Sequence, residues 1–519
     1  MAEPFPEEEI AGAYELPEGW IWTKLSDIIE PSKEKMQPPF NETEKYIGLE
    51  HIGSNTSRIV GIGKGTDVKS TKNCFYKGDV LYGKLRPYLN KTIIIDFNGI
   101  CSTDLIVFRR SDFLENKYIM RFLSTQHVVS FANQNMTGVQ HPRISFERLG
   151  QVLFPLPPLA EQHRIAAKLE ALLAQVNAAK DHLAAVPPII KRFRQSVLAT
   201  ACSGRLTEDW RREHPDVEPA SELLKRIREE RIRRYTDECQ KAKEEGRRKP
   251  KKPKNMEPQE VGAEGLPELP RRWAWATVQT IASPNERSIQ SGPFGSNLLH
   301  SEFQDTGVLA IGIDNVSNGK FSLGKEHRIS LEKYEELKKY TARPYDVLIT
   351  VMSTVGRCCV VPEDIETAIV TKHVYRITPD GELTNPYFVM NCLRGCPIVI
   401  KKLFGEIQGV TRPGINGKIL KNLPIPLPPL PEQHAIVNRI ETLFRRINEV
   451  EERVAAATSY ADRLTQSILA KAFRGELVPQ DPDDEPVSVL LERIRKERTE
   501  LKKKKKPQKR RSKTLSDFN

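Results

Sequence analysis

Apolar residues fall at Ile165, Leu169, Leu172, Val176, Ala179, Leu183, Val186, Ile190, Phe193 and Val197, in steps that alternate between four and three. Moving 271 residues along the chain gives Ile436, Ile440, Leu443, Ile447, Val450, Val454, Ala457, Ala461, Leu464 and Ile468, every one apolar again. A sustained spacing of about 3.5 residues marks a coiled-coil seam rather than an ordinary surface helix. One chain supplies both seams, so the pattern predicts two long helices that pair with each other, with a partner protein as the alternative. Each helix follows a Pro-Pro turn, a residue type compatible with a helix start. Pro187-Pro188 lie inside the first helix, where the second has Thr458-Ser459. Proline in a helix interior removes a backbone bond, so a kink or break is expected in the first helix only.

Ahead of each helix the period changes. Short apolar or alternating runs, such as Lys91–Ile95 and Asp104–Phe108, are broken by Gly, Asn and Pro. These read as strands of a β-rich α/β domain. The repeat extends into this region. Leu16-Pro17-Glu18-Gly19-Trp20-Ile21-Trp22 returns as Leu269-Pro270-Arg271-Arg272-Trp273-Ala274-Trp275, 253 residues later. Gly138-Val139-Gln140-His141-Pro142 returns as Gly409-Val410-Thr411-Arg412-Pro413, and Pro155-Leu156-Pro157-Pro158-Leu159 as Pro426-Leu427-Pro428-Pro429-Leu430, both at 271. Leu223-Leu224 and Leu490-Leu491 pair at 267. Four markers in one order at nearly constant offset describe a duplicated chain.

Composition narrows the class. The 519 residues allow about three or four domains. There is no run of 18 apolar residues, which excludes an ordinary membrane-spanning helix. The acidic, proline-bearing N-terminus does not resemble a signal peptide, and the eight cysteines lack paired spacing. Scattered reduced thiols, a cytoplasmic location and no metal site are the expectation. The net charge of +12 is concentrated. Lys225–Lys254 holds 14 Lys/Arg against 6 Asp/Glu, and Arg493–Lys513 holds 13 against 2. The remainder is therefore about −7, so a polyanion is a plausible partner but only through local patches. The stretch from Lys241 to Gly265 reads as an exposed linker, and the tail after Leu501 as a solvated charge run.

Motifs for chemistry are missing. No GxxxxGK[ST] phosphate loop occurs. Gly61–Gly65 has the wrong spacing for one and reads as a hairpin turn. Met36-Gln37-Pro38-Pro39-Phe40 has Gln where the Asn/Asp-Pro-Pro-aromatic motif of amino-methyltransferases needs its essential residue. Glu115-Asn116-Lys117 has the ExK spacing of metal-dependent nucleases without their preceding Asp, and reads as a helix start. A large duplicated chain without catalytic motifs suggests recognition and assembly.

The combined stretches resemble the specificity subunits of type I restriction–modification systems over about residues 16 to 500. The resemblance rests on Pro155–His163 and its copy ending Pro431-Glu432-Gln433-His434. Further support comes from Gly78-Asp79-Val80-Leu81 with Lys84–Lys91, Ser102-Thr103-Asp104, Ser291–Asn297 and Gly409–Pro413. It implies an α/β (α+β) fold with a pseudo-two-fold internal repeat. Two β-rich target recognition domains would be joined by two long helices packed as an antiparallel coiled coil. The expected segments are a first recognition domain over 1–156, a spacer helix over 157–204 and a basic segment with linker over 205–265. A second recognition domain over 266–427, a spacer over 428–475 and a basic C-terminal segment over 476–519 follow. The implied partners are double-stranded DNA, two modification (methyltransferase) subunits and restriction (translocase/nuclease) subunits. S-adenosylmethionine, ATP and Mg would belong to those subunits, with no cofactor on this non-catalytic chain. The 33 residues of the stretch Ile165–Val197 span ~50 Å at 1.5 Å each, about 15 base pairs of B-form DNA. A free-standing bipartite DNA-binding regulator and a coiled-coil scaffold are the rival readings.

The scaffold markers are shared while the segments between them diverge, which predicts two different readers and an asymmetric bipartite site. Base readout needs Arg, Lys, Asn or Gln at groove edges, and phosphate contacts need Lys, Arg and hydroxyls. The candidates are Lys84, Arg86, Lys91, Gln140, His141 and Arg143 in the first domain. In the second they are Ser296, Asn297, Arg357, Lys372, His373 and Arg412. Arg86 and Arg412 precede proline, so an extended backbone is expected there. Glu161-Gln162-His163 and Glu432-Gln433-His434 are expected at helix starts in contact with the paired helix. Lys225–Arg234 and Arg493–Arg498 are expected on amphipathic helices that dock on a partner subunit.

Overall fold

The computed structural model describes residues 14–252, 261, 265–284, 287–324, 326–381, 384–405 and 415–505. Four long helices carry the frame: α1 (Leu159–Cys202), α2 (Ala220–Glu244), α3 (Leu430–Phe473) and α4 (Val487–Lys505). The chain forms two compact units, one of residues 1–184 and 454–519 and the other of residues 185–453. Neither is simply one half of the sequence. Each combines a recognition domain with the start of one spacer helix and the end of the other.

In the unit of residues 1–184 and 454–519, a five-stranded sheet places Gly99–Cys101 between Lys72–Phe75 and Lys45–Ile47. A three-stranded sheet centres Val80–Gly83 between Thr92–Ile94 and Leu105–Phe108. The core joins Leu25, Phe108, Tyr118 and Phe154 to Ile165 and Leu169 of α1, Phe473 of α3 and Leu490 and Ile494 of α4. Side-chain pairs set the direction of the helices: Lys180 of α1 reaches Thr465 and Asp462 of α3, while Ile165 shares the core with Phe473. Residue numbers rise along α1 as they fall along α3, so the helices are antiparallel.

The unit of residues 185–453 repeats the plan. One four-stranded sheet orders Ile289–Ser291, Val374–Ile377, Val347–Thr350 and Cys358–Val360. A second pairs Leu309–Ile311 in parallel with Ala368–Val370, as Tyr46-Ile47 pair with Ile100-Cys101 in the other unit. Arg194 of α1 bonds Asn448 and Glu451 of α3, again antiparallel. Its guanidinium and that of Arg394 lie 5.3 and 5.7 Å from the Phe444 ring centroid.

The Trp-x-Trp and Pro-Leu-Pro-Pro-Leu markers are two strands of one hairpin-like closure. Trp22 faces Pro155 in one unit and Trp275 faces Pro426 in the other. The Glu-Gln-His triplets lock this closure to the spacer. Trp20 donates its indole N–H to Glu161 at 2.9 Å, and Trp273 to Glu432 at 2.8 Å. Gln162 donates to the Pro157 carbonyl and accepts from the Glu115 N–H; Gln433 does the same with Pro428 and Asn385, all four at 3.0 Å. His163 Nδ1 lies 2.7 Å from Glu115, which also caps its own helix through the Lys117 N–H. The triplets therefore bond to their own recognition domain and to segments that follow the paired helix, such as Gln480 and Arg211, instead of to the paired helix itself. The two buried acids make this arrangement necessary, since a buried carboxylate needs donors.

Several expectations change. Helix α1 runs through Pro187-Pro188 without a break. Both prolines are exposed, so their rings are accommodated at the helix surface. The seam also thins at Ala179, Phe193, Val450, Ala457 and Leu464, which are exposed. Gly63–Lys64 form an edge strand and Gly65–Asp67 a 3₁₀ turn, where a hairpin turn was expected. Helices α2 and α4 bury their apolar faces, through Leu223 and Ile227 and through Leu490 and Ile494, in their own units. Arg231 and Arg498, equivalent at 267 residues, are fixed on backbone carbonyls of the first helix of each recognition domain.

Candidate nucleic-acid interface

Three loops of the first recognition domain meet at one edge. The strand Val80–Gly83 runs into Lys84–Arg86, and the Lys84 N–H donates to Asp104 O at 2.9 Å. The Ile144 N–H donates to Lys84 O at 3.0 Å and the Arg86 N–H to Pro142 O at 2.8 Å. Ser102–Asp104 and Thr137–Arg143 are thereby stitched to the Lys84–Arg86 loop. Arg143 adds a 2.9 Å ion pair with Asp104. That carboxylate holds the guanidinium above its ordinary range. Arg86, Gln140, His141 and Arg143 are exposed and Lys84 half-buried on this edge.

Two first-domain expectations are corrected. Arg86 has φ 52 and ψ 62, a left-handed conformation, not an extended one. Its N–H is held by Pro142 and its carbonyl accepts from Leu89, and these bonds outweigh the local preference before proline. Lys91 turns inward: its ammonium donates to Leu49 O at 2.6 Å, satisfying a carbonyl of a 3₁₀ turn. It is thus not displayed with the other candidates.

The second domain uses the same frame with different residues. The Val351 N–H donates to His373 O at 3.0 Å, as Lys84 does to Asp104, and the Ile415 N–H to Val351 O at 3.1 Å, as Ile144 does to Lys84. The loop that leaves Val347–Thr350 is a closed hairpin, with Thr350 N–H to Arg357 O and Gly356 N–H to Thr350 O, both at 2.9 Å. Arg357 and Lys372 are exposed. His373 Nδ1 lies 3.2 Å from Met352 Sδ. Burial and then the Lys372 charge push the His373 imidazole down, toward the neutral form. Ser296 and Asn297 sit on an exposed 3₁₀ turn just beyond Gly292, whose Cα packs on the Val370-Thr371 backbone. Arg412 lies outside the described residues.

Sequence reasoning had Asp104 only within the Ser102-Thr103-Asp104 motif; its place as the anchor of the Arg143 guanidinium needed the fold. Sequence reasoning also missed that Cys202, Cys392 and Cys396 meet: Cys202 and Cys392 sulfurs are 3.7 Å apart and buried. Among the described residues no set of His, Cys, Asp and Glu is placed to hold a metal ion. No described helix is long and apolar enough to cross a membrane.

The profile of the type I restriction modification DNA specificity domain matches residues 17–186 and again 301–457, together more than half the chain. The chain is 32% identical over 418 residues to the EcoBI specificity subunit of Escherichia coli, covering 78% of each. It is 31% identical over 379 residues to the EcoDI specificity subunit of the same organism, covering 70% of this chain and 73% of that one. A chain in a solved structure concerned with complex assembly and conformational transition of the type I R-M system superimposes with TM-score 0.65 at 22% identity. That match covers 89% of this chain and all of the other, and it bears on the fold alone. With the profile on both halves and relatives of that identity and coverage, the chain belongs to the type I restriction enzyme specificity subunits, non-catalytic components that carry DNA specificity.

Proposed function

We propose that each unit reads one half-site of a bipartite DNA target and that partner subunits act on the DNA so selected. The reading rests on one observation: equivalent backbone bonds, Lys84 to Asp104 and Val351 to His373, hold two loop edges whose side chains differ. A shared frame with unlike residues suits two different short sequences. In the first unit Arg86 and Arg143 supply phosphate or guanine contacts, and Gln140 suits adenine through its paired donor and acceptor. In the second unit Ser296, Asn297, Arg357, Lys372, His373 and Arg412 take these roles. Lys91 has a structural role instead.

Two modification subunits and the restriction subunits are the proposed partners. S-adenosylmethionine serves the former, and ATP with Mg the latter. The chain itself works without a cofactor, in the cytoplasm where its target DNA lies. The test is to map modified bases in DNA from cells that co-express this chain with its modification subunit. A single bipartite motif that vanishes when this chain is omitted supports the proposal. No motif from a folded, associated pair overturns it, and specific binding without any partner subunit marks a free-standing regulator.

A further inference from the structure

Val139 is 99% exposed, more than any other large apolar residue of the described chain. It is not on a frayed segment. The Thr137 N–H donates to Arg143 O and the Arg143 N–H to Thr137 O, both at 2.8 Å, closing the neck of the loop. Gly138 has φ 98, a left-handed turn that a side chain would strain. Pro142 is buried and bonded to Arg86, and Arg143 is clamped by Asp104. The neck is thus held from three sides while Gly138, Val139, Gln140 and His141 project. A closed-necked loop that displays an isopropyl group to water, followed directly by the hydrogen-bonding side chains of Gln140 and His141, suits a surface that is itself part apolar and part polar.

Resting on the proposed reading role of this edge, we infer that Val139 is a specificity-determining residue that packs on the C5-methyl group of a thymine in the major groove. Chemistry favours this over a wedge between base steps. Wedges use Phe, Leu, Ile, Met and Pro, and valine is shorter than the aliphatic side chains among them. Thymine is the base that presents a methyl group to the major groove, and small apolar side chains read it there. Gln140, next in sequence, suits the adenine of a neighbouring pair through N6 and N7. The loop then carries an apolar and a polar reader side by side.

The experiment uses the complete modification complex and a duplex carrying its mapped motif. Each thymine is replaced singly by deoxyuridine, which deletes only the methyl group. At one position in one half-site, binding by the wild-type complex weakens about fourfold, the value of one buried methyl-sized group. The V139A complex binds the thymine duplex about fourfold less tightly and is indifferent to deoxyuridine there. V60A, at another exposed valine of the same unit, keeps the wild-type response. The inference is overturned if V139A retains full sensitivity at every thymine. It is equally overturned if V139A impairs subunit association without DNA, which makes the valine a protein contact. Absence of any sequence-specific binding by the wild-type complex would instead sink the reading role on which the inference rests.

Discussion

The carboxylate of Glu432 accepts from the Arg211 guanidinium at 2.6 Å, in a pocket also closed by Trp273 and Thr207. Removing the acid strands a guanidinium, an indole N–H and a hydroxyl together. Glu432→Ala should lower the stability of its unit by about 3 kcal/mol, the usual cost of breaking a buried ion pair from one side. Denaturant unfolding followed by tryptophan fluorescence checks this, with Glu432→Gln expected to lose less because it can still accept from Trp273.

Glu161, the counterpart in the other unit, meets Gln480 where Glu432 meets Arg211. Burial raises its carboxyl above the ordinary value of 4.5, and bonds from Trp20 and Gln480 only partly offset that. A raised folded-state value means the acid's contribution to stability is full below about pH 4.5 and falls as pH rises through the folded value. Glu161→Gln has no such loss. The variant should therefore gain on the wild type as pH rises through this window and hold a constant difference above it. Parallel stability profiles across the window would refute the assignment.

Arg86 and Gln140 share an edge but should fail differently. Arg86→Ala should weaken binding to all sequences alike and reduce the slope of log affinity against log salt by about 1, the signature of a lost phosphate contact. Gln140→Ala should cost roughly 1–3 kcal/mol on the cognate duplex and little on others. Titrations of the modification complex at several salt concentrations separate the two outcomes.

A methyl group at Gly292 would run into the backbone of Val370 and Thr371. Backbone cannot yield as a flexible side chain can, so Gly292→Ala should displace the Ser291–Asn297 loop and cost about 1–3 kcal/mol. Motif mapping with this variant should show one half-site degraded and the other unchanged. Loss at both half-sites, or at neither, would contradict the placement of Ser296 and Asn297 in a single reader.

The frame was far more legible than the site. Heptad spacing is enforced over many turns, so Ile165, Leu169 and Ile440 announce the helices, and repeated Trp and Pro residues announce the closure they form. The exposed seam positions Phe193 and Val450 show the limit: apolar spacing marks a stripe, but burial also depends on what lies across it. Arg86 and Lys91 were misjudged because tertiary hydrogen bonds to the Pro142 and Leu49 carbonyls decided them, and neither partner is near in sequence. Asp104 was visible only as part of a motif; its clamp on Arg143 appears once two loops 39 residues apart are brought together.

The make-up of the two units also sets an order of events during synthesis. Residues 185–453 are continuous, so that unit can close as soon as its last helix has left the ribosome. The other unit cannot, because residues 1–184 need the stretch that begins at Val454. At roughly 10 residues per second, the intervening 269 residues take about half a minute to make. For that time Ile165, Leu169 and Leu173 have no α3 or α4 to cover them. The segment made first is the one completed last, and a nascent chain stalled between the two units would leave an apolar helix face open to chaperones and to aggregation.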